Sequence, residues 1–220
     1  MEASVDKPRL PGKSWARRLQ RPLLLVSLLL GVTGLTRRFV LPAAPPLPVM
    51  ATVPAFTLQS EQGRPFGAGE LRGSVWIANF VFTRCPTLCP HVTRLMAGLQ
   101  PRALALSGRL HLVSFSVDPE HDGPAELTAY GKRFGADPRV WSFLTGTFEA
   151  LRDTVEHGFK IAMGREGKAI DDPATVFHGT HFVLVDQEMR IRGYYDLDQA
   201  GGVDRLLRDA ERLVEGAKGG

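Results

Sequence analysis

Cys85 and Cys89 are the only two cysteines of a 220-residue chain, set four residues apart in Phe82-Thr83-Arg84-Cys85-Pro86-Thr87-Leu88-Cys89-Pro90. Two cysteines so placed make a poor disulfide scaffold and a good site. A close thiolate pair supports either reversible disulfide exchange or the binding of a soft metal such as Cu(I), zinc or an iron-sulfur cluster. Two sulfurs are too few for tetrahedral zinc, so a metal would need ligands from elsewhere in the chain. Pro90 fits a first helical turn and not a helix interior, which predicts a helix from about Cys89 and a tight turn over residues 85–88. Both sulfurs would then lie at the positive end of the helix, where thiol pKa values fall.

Six histidines are available as further ligands. His178, in Phe177-His178-Gly179-Thr180-His181, precedes the apolar run Phe182 to Val185. If that run and Val75 to Phe82 share the sheet core, the segment between could bring His178 over the cysteines; an ordinary loop histidine is the alternative. His181 starts the strand and is expected to be displaced from His178 along it. His91 reads as part of a solvated helix face and Met96 as core. Asp118 either supports the site or forms an Asp-Pro turn.

The elements that must position these residues alternate between strand and helix. Val75 to Phe82 and Leu110 to Val117 are near-continuous apolar runs, the pattern of strands covered on both faces. Val92, Leu95, Met96 and Leu99 form a helical stripe. Asp122-Gly123-Pro124 opens a second helix, and a short strand near Trp141 to Leu144 leads to a third helix bearing Phe148, Leu151 and Val155. Residues 158–173 read as a loop insertion without period. Phe182 to Val185 and Arg190 to Tyr194 form a hairpin, Val203 to Val214 a terminal helix, and Phe56 to Leu58 with Gly63 an N-terminal β-hairpin. Such alternation predicts an α/β sheet with parallel pairs.

The net charge of +4 is unevenly spread: of 27 basic and 23 acidic residues, the first 44 positions hold eight basic and two acidic, leaving 19 against 21. The folded part lacks the basic excess that phosphate-backbone binding needs, which excludes nucleic acid as a partner. Residues 1–22 read as a basic, cytoplasmic N-terminus. Leu23 to Leu35 is a 13-residue uncharged run between arginines, shorter than the roughly 20 residues of a usual spanning helix. Segment 23–36 is therefore a signal anchor or the hydrophobic part of a signal peptide, and a buried helix fits it worst. Pro42-Ala43-Ala44-Pro45 is a poor cleavage site, which favours the anchor. Residues 37–52 read as a Pro-rich linker and 53–216 as the domain, on the extracytoplasmic side.

Thr83-x-Cys85-Pro86-x-x-Cys89-Pro90, Ser116-Val117-Asp118-Pro119 with Asp122-x-Pro124, Lys132-Arg133-Phe134-Gly135, and His178 eight residues before Asp186 closely resemble the Sco/SenC family over residues 53–215. The resemblance implies a membrane-anchored, thioredoxin-like copper chaperone, with an N-terminal β-hairpin and an inserted loop or hairpin before the last strands. It implies Cys85, Cys89 and His178 as ligands of a copper ion. The implied partners are the CuA-bearing subunit of cytochrome c oxidase and an upstream copper donor. Many members carry Asp where this chain has Thr87, so any tuning by that carboxylate is missing. The alternative role is a thiol-disulfide reductase that keeps the oxidase CuA-site cysteines reduced, with a reversible Cys85–Cys89 disulfide. Thioredoxin-like oxidoreductases usually carry a two-residue spacer and a facing cis-proline; this chain has three residues between its cysteines and no proline immediately before Phe182.

Overall fold

The computed structural model describes residues 45–165 and 176–216. The hydrophobic segment at 23–36 and the linker up to residue 44 lie outside them, and among the described residues no helix is long and apolar enough to cross a membrane. The described residues from Leu47 onward form one compact unit.

Its strands are β1 (Ala51–Thr52), β2 (Thr57–Ser60), β3 (Pro65–Gly67), β4 (Val75–Val81), β5 (Leu110–Ser116), β6 (Trp141–Thr145), β7 (Met163–Arg165), β8 (Val176–His178), β9 (Phe182–Val185) and β10 (Arg190–Tyr195). The helices are α1 (Ala68–Leu71), α2 (Leu88–Ala105), α3 (Pro124–Arg133), α4 (Phe148–Arg152), which continues as a π-helical turn through Asp153–Gly158, and α5 (Gly202–Gly216). Eight strands form one sheet in the order β1-β10-β9-β4-β5-β6-β2-β3, while β7 and β8 pair only with each other. The pairs β4–β5 and β5–β6 are parallel and the remainder antiparallel. The expected N-terminal hairpin is β2–β3, turned at Gly63 with its φ of 74°, a conformation glycine adopts without steric cost. The hairpin expected before the last strands is β7–β8.

All seven residues of β4 are buried, as an apolar run covered on both faces requires. The parallel register sets Val81 beside Ser116, so the loops after β4 and β5 leave the sheet side by side. That register brings Thr83 to Cys89 next to Asp118 and Asp122.

One sequence expectation fails inside 158–173. Phe159, Ile161 and Met163 are buried, and β7 begins at Met163, so the start of this stretch is core and not surface loop. Phe159 packs its ring against Trp76 at 5.7 Å, Phe80 at 5.3 Å and Phe115 at 5.1 Å between centroids. Such aromatic contacts stabilise beyond the area they bury. Its carbonyl accepts a hydrogen bond from the Tyr194 hydroxyl at 2.9 Å. The cluster thereby pins the chain that leads into β7–β8.

Candidate metal and thiol site

The chain leaves β4 through Phe82, turns over Thr83 and Arg84, and enters α2 at Leu88. Cys89 sits in the first turn of α2 at the head of the buried stripe Cys89, Val92, Thr93, Met96, Leu99, Gln100 and Ala103. The Thr93 hydroxyl, 2.7 Å from the Tyr130 hydroxyl, donates to the Cys89 carbonyl at 2.6 Å and locks this turn. Cys85 is half-buried, whereas Cys89 is fully covered. They are thiols and not a disulfide.

The amide of Cys89 donates to Cys85 Sγ at 3.3 Å, and the amide of Phe82 donates to Cys89 Sγ at 3.5 Å. Burial pushes the Cys85 thiol up, but the amides of Cys89, Thr87 and Leu88 and the thiol of Cys89 outweigh it, so its pKa lies below the ordinary value. Cys89 goes the other way: burial, aided by the Cys85 sulfur and the Asp122 charge, drives its pKa far up against the Phe82 amide. The expectation that both thiols are acidified is thus corrected. Only Cys85 faces the open amides of the helix start, while Cys89 is turned into the core.

Behind the loop stands a carboxylate that the sequence reading did not single out for chemistry. Asp122, fully buried, accepts the Thr83 amide at 3.1 Å, the Thr83 hydroxyl at 2.6 Å and the Ser116 hydroxyl at 2.7 Å. Burial pushes the Asp122 carboxyl up despite these bonds, and the nearby Asp118 charge adds to the shift. Asp118 is also buried, 2.9 Å from Arg84 Nη2 and 3.0 Å from His121 Nδ1. It therefore supports the turn that precedes Cys85.

Of His178 the backbone is described, as the last residue of β8 opposite Met163; its side chain lies outside the described residues. The next residue, Gly179, sits so close to Ile161 that a Cβ there would fall 2.7 Å from Ile161 Cγ2. Because β9 runs antiparallel to β4, pairing Val183 with Ala78, the segment before β9 heads toward the end of β4 that bears the cysteine loop. His181 is exposed and lines a cleft with Lys160, Ile161 and Tyr194. His91 is exposed on α2 and lies 2.5 Å from Asp198, and Met96 is core, both as expected.

A dithiol at the start of a helix, fed by the central strand of a mixed sheet, defines a thioredoxin-like α/β protein equipped for thiol or soft-metal chemistry. Residues 46–215 match the family model of SCO1/SenC, and the chain belongs to that family. The SCO1 protein homolog of Bacillus subtilis is 30% identical over 165 residues, covering 74% of this chain and 83% of that one. A putative copper-binding protein of Stutzerimonas stutzeri is 29% identical over 164 residues, covering 73% and 78%. The structure of BsSco, a member of the Sco family of cytochrome c oxidase assembly proteins in which a disulfide switch was identified, superposes with a TM-score of 0.66. Its identity is 28%, over 77% of this chain and 98% of that one.

Proposed function

We propose that this protein binds copper through Cys85, Cys89 and His178 and delivers it to the CuA centre of cytochrome c oxidase during assembly. The observation that carries the reading is the contact between the two thiols at the start of α2, with backbone amides on both sulfurs. Paired thiolates suit Cu(I), and an added imidazole would extend the set toward Cu(II). The names of the copper-binding relative from Stutzerimonas stutzeri and of the oxidase assembly protein BsSco point the same way. Copper here is cargo, received from a donor protein and passed to the CuA-bearing subunit. The segment at 23–36 would tether the domain to the membrane with residues 53–216 on the extracytoplasmic side.

A second reading has its own observation. An accessible, acidified Cys85 beside a sheltered Cys89 is the arrangement of a nucleophilic and a resolving thiol, which suits a reductase that keeps the CuA-site cysteines ready for metal. Anaerobic Cu(I) titration of the full-length protein and of Cys85→Ser, Cys89→Ser and His178→Ala distinguishes the two. One copper per chain, lost with either cysteine, supports delivery. Undiminished binding in Cys85→Ser and Cys89→Ser would defeat the ligand assignment.

A further inference from the structure

Among the described residues six arginines pair with carboxylates: Arg84 with Asp118, Arg102 with Glu211, Arg139 with Asp137, Arg190 and Arg192 with Asp186, and Arg212 with Asp209. Arg94 on α2 and Arg133 at the end of α3 differ. Both are exposed, and their contacts are with aromatic rings: Arg94 lies 6.0 Å from the Phe134 centroid, and Arg133 lies 4.9 Å from that of Tyr130 and 5.4 Å from that of Phe134. Between them opens a cleft of about 530 Å3 lined by Pro90, Arg94, Ala97, Arg133 and Phe134. None of these lining residues is acidic. The cleft begins at Pro90, the residue after Cys89, and Arg94 lies one helical turn further along the same face of α2.

We propose that this cleft is the docking surface for an acidic segment of the partner protein that exchanges copper with the cysteine loop. The inference rests on the copper-delivery reading and adds to it where the partner is held and by what chemistry. A guanidinium that lies over an aromatic ring still has N–H donors to offer, and these can grip a carboxylate in a bidentate pair. Phe134 supplies an apolar floor for the methylenes of a Glu side chain. Two guanidinium groups lining one cleft offer two bidentate donor sites, which suits the successive carboxylates of an acidic peptide. Outside residues 1–44 the chain carries a small acidic excess, and against that background two arginines lining one cleft with no acidic residue give the face beside Pro90 a local positive charge for a negative partner.

The test uses the full-length protein reconstituted in phosphatidylcholine nanodiscs and a fluorescein-labelled hexaglutamate peptide, capped at both ends, followed by fluorescence anisotropy. Capped hexaglutamine, inorganic phosphate and phosphatidylglycerol vesicles serve as competitors. The double variant Arg94→Gln/Arg133→Gln should weaken hexaglutamate binding by at least about tenfold. Arg72→Gln/Arg208→Gln, which removes the same charge from exposed positions elsewhere, should change it by less than about twofold. Hexaglutamine should not compete. Equal weakening in the two double variants, no measurable binding, or stronger competition by phosphate or vesicles than by unlabelled hexaglutamate would overturn the proposal. Copper uptake measured on the same preparations separates the two readings. A wild-type chain that takes up no copper removes the delivery role, whereas normal uptake without hexaglutamate binding removes the cleft alone.

Discussion

The Thr83 hydroxyl donates to Asp122 Oδ1 at 2.6 Å, joining residues 39 apart in the chain. With the Thr83 amide and the Ser116 hydroxyl on the same carboxylate, this bond ties the turn before Cys85 to the loop after β5. The cysteine loop is therefore held from beneath by a buried acceptor and not by its own turn alone.

Asp122→Ala should cost about 2 to 3 kcal/mol, because it strands the buried donors of Thr83 and Ser116. Asp122→Asn should cost less, since the amide oxygen can still accept from Thr83. The pH dependence has a definite sign. Burial raises the folded carboxyl above its ordinary 3.8, so the folded state holds the proton more tightly than the unfolded chain. This favours folding below about pH 3.8 and is lost as pH rises through the raised folded value. Urea midpoints across that window should fall with pH in the wild type relative to Asp122→Asn; parallel curves would refute the assignment.

Cys85 should be alkylated first in the reduced protein. Its accessibility and lowered pKa both favour attack, whereas Cys89 is covered and its thiol is held protonated. Iodoacetamide followed by peptide mass mapping should show modification at Cys85 faster by at least about tenfold. The pH midpoint for Cys85 should lie below 9.0, the ordinary thiol value. Preferential labelling of Cys89 would contradict the geometry.

Mild oxidation should join Cys85 and Cys89 reversibly, releasing two protons and two electrons to the oxidant, because the thiols already meet across the turn that leads into α2. The disulfide consumes both thiolates. Copper uptake should vanish in the oxidised form and return after reduction. Full uptake by a chain shown by mass to be oxidised would exclude the sulfurs as ligands.

His178→Ala should retain Cu(I), held by two soft sulfurs, and lose a stable Cu(II) complex with its thiolate-to-copper absorption band, because Cu(II) prefers nitrogen. His181→Ala is the control: His181 lies in the cleft with Lys160 and Tyr194. Loss of the band in His181→Ala and its survival in His178→Ala would transfer the role to His181.

Full-length protein should fractionate with membranes, anchored by residues 23–36, and should be released by detergent and not by high salt. Recovery chiefly as a shortened soluble form would replace the anchor with a cleaved signal peptide.

The central strands and the cysteine loop were readable because Val75 to Phe82 and Leu110 to Val117 are unbroken apolar runs and Pro90 marks a helix start. The burial of Cys89 was also encoded: carried back one turn, the stripe of Val92, Met96 and Leu99 includes Cys89. The alternation of Phe159, Ile161 and Met163 was too short to register as a period, and its meaning depends on Trp76, Phe80 and Phe115 being gathered at one place. Asp122 was visible as part of a motif, but its role required the β4–β5 register that sets Val81 beside Ser116. No local pattern specifies a parallel neighbour 35 residues away.

The complete burial of β4 sets how motion is distributed around the site. In hydrogen-exchange terms, amides in a strand enclosed on both faces open only with global unfolding, while those of an exposed turn exchange through small local fluctuations. Pro86, Thr87 and Leu88 are exposed and link the two cysteines in sequence, just beyond the end of a strand that cannot give way. Ligand capture by the cysteines would therefore register as slowed deuterium uptake at the amides of Thr87 and Leu88, with β4 itself already silent before anything binds.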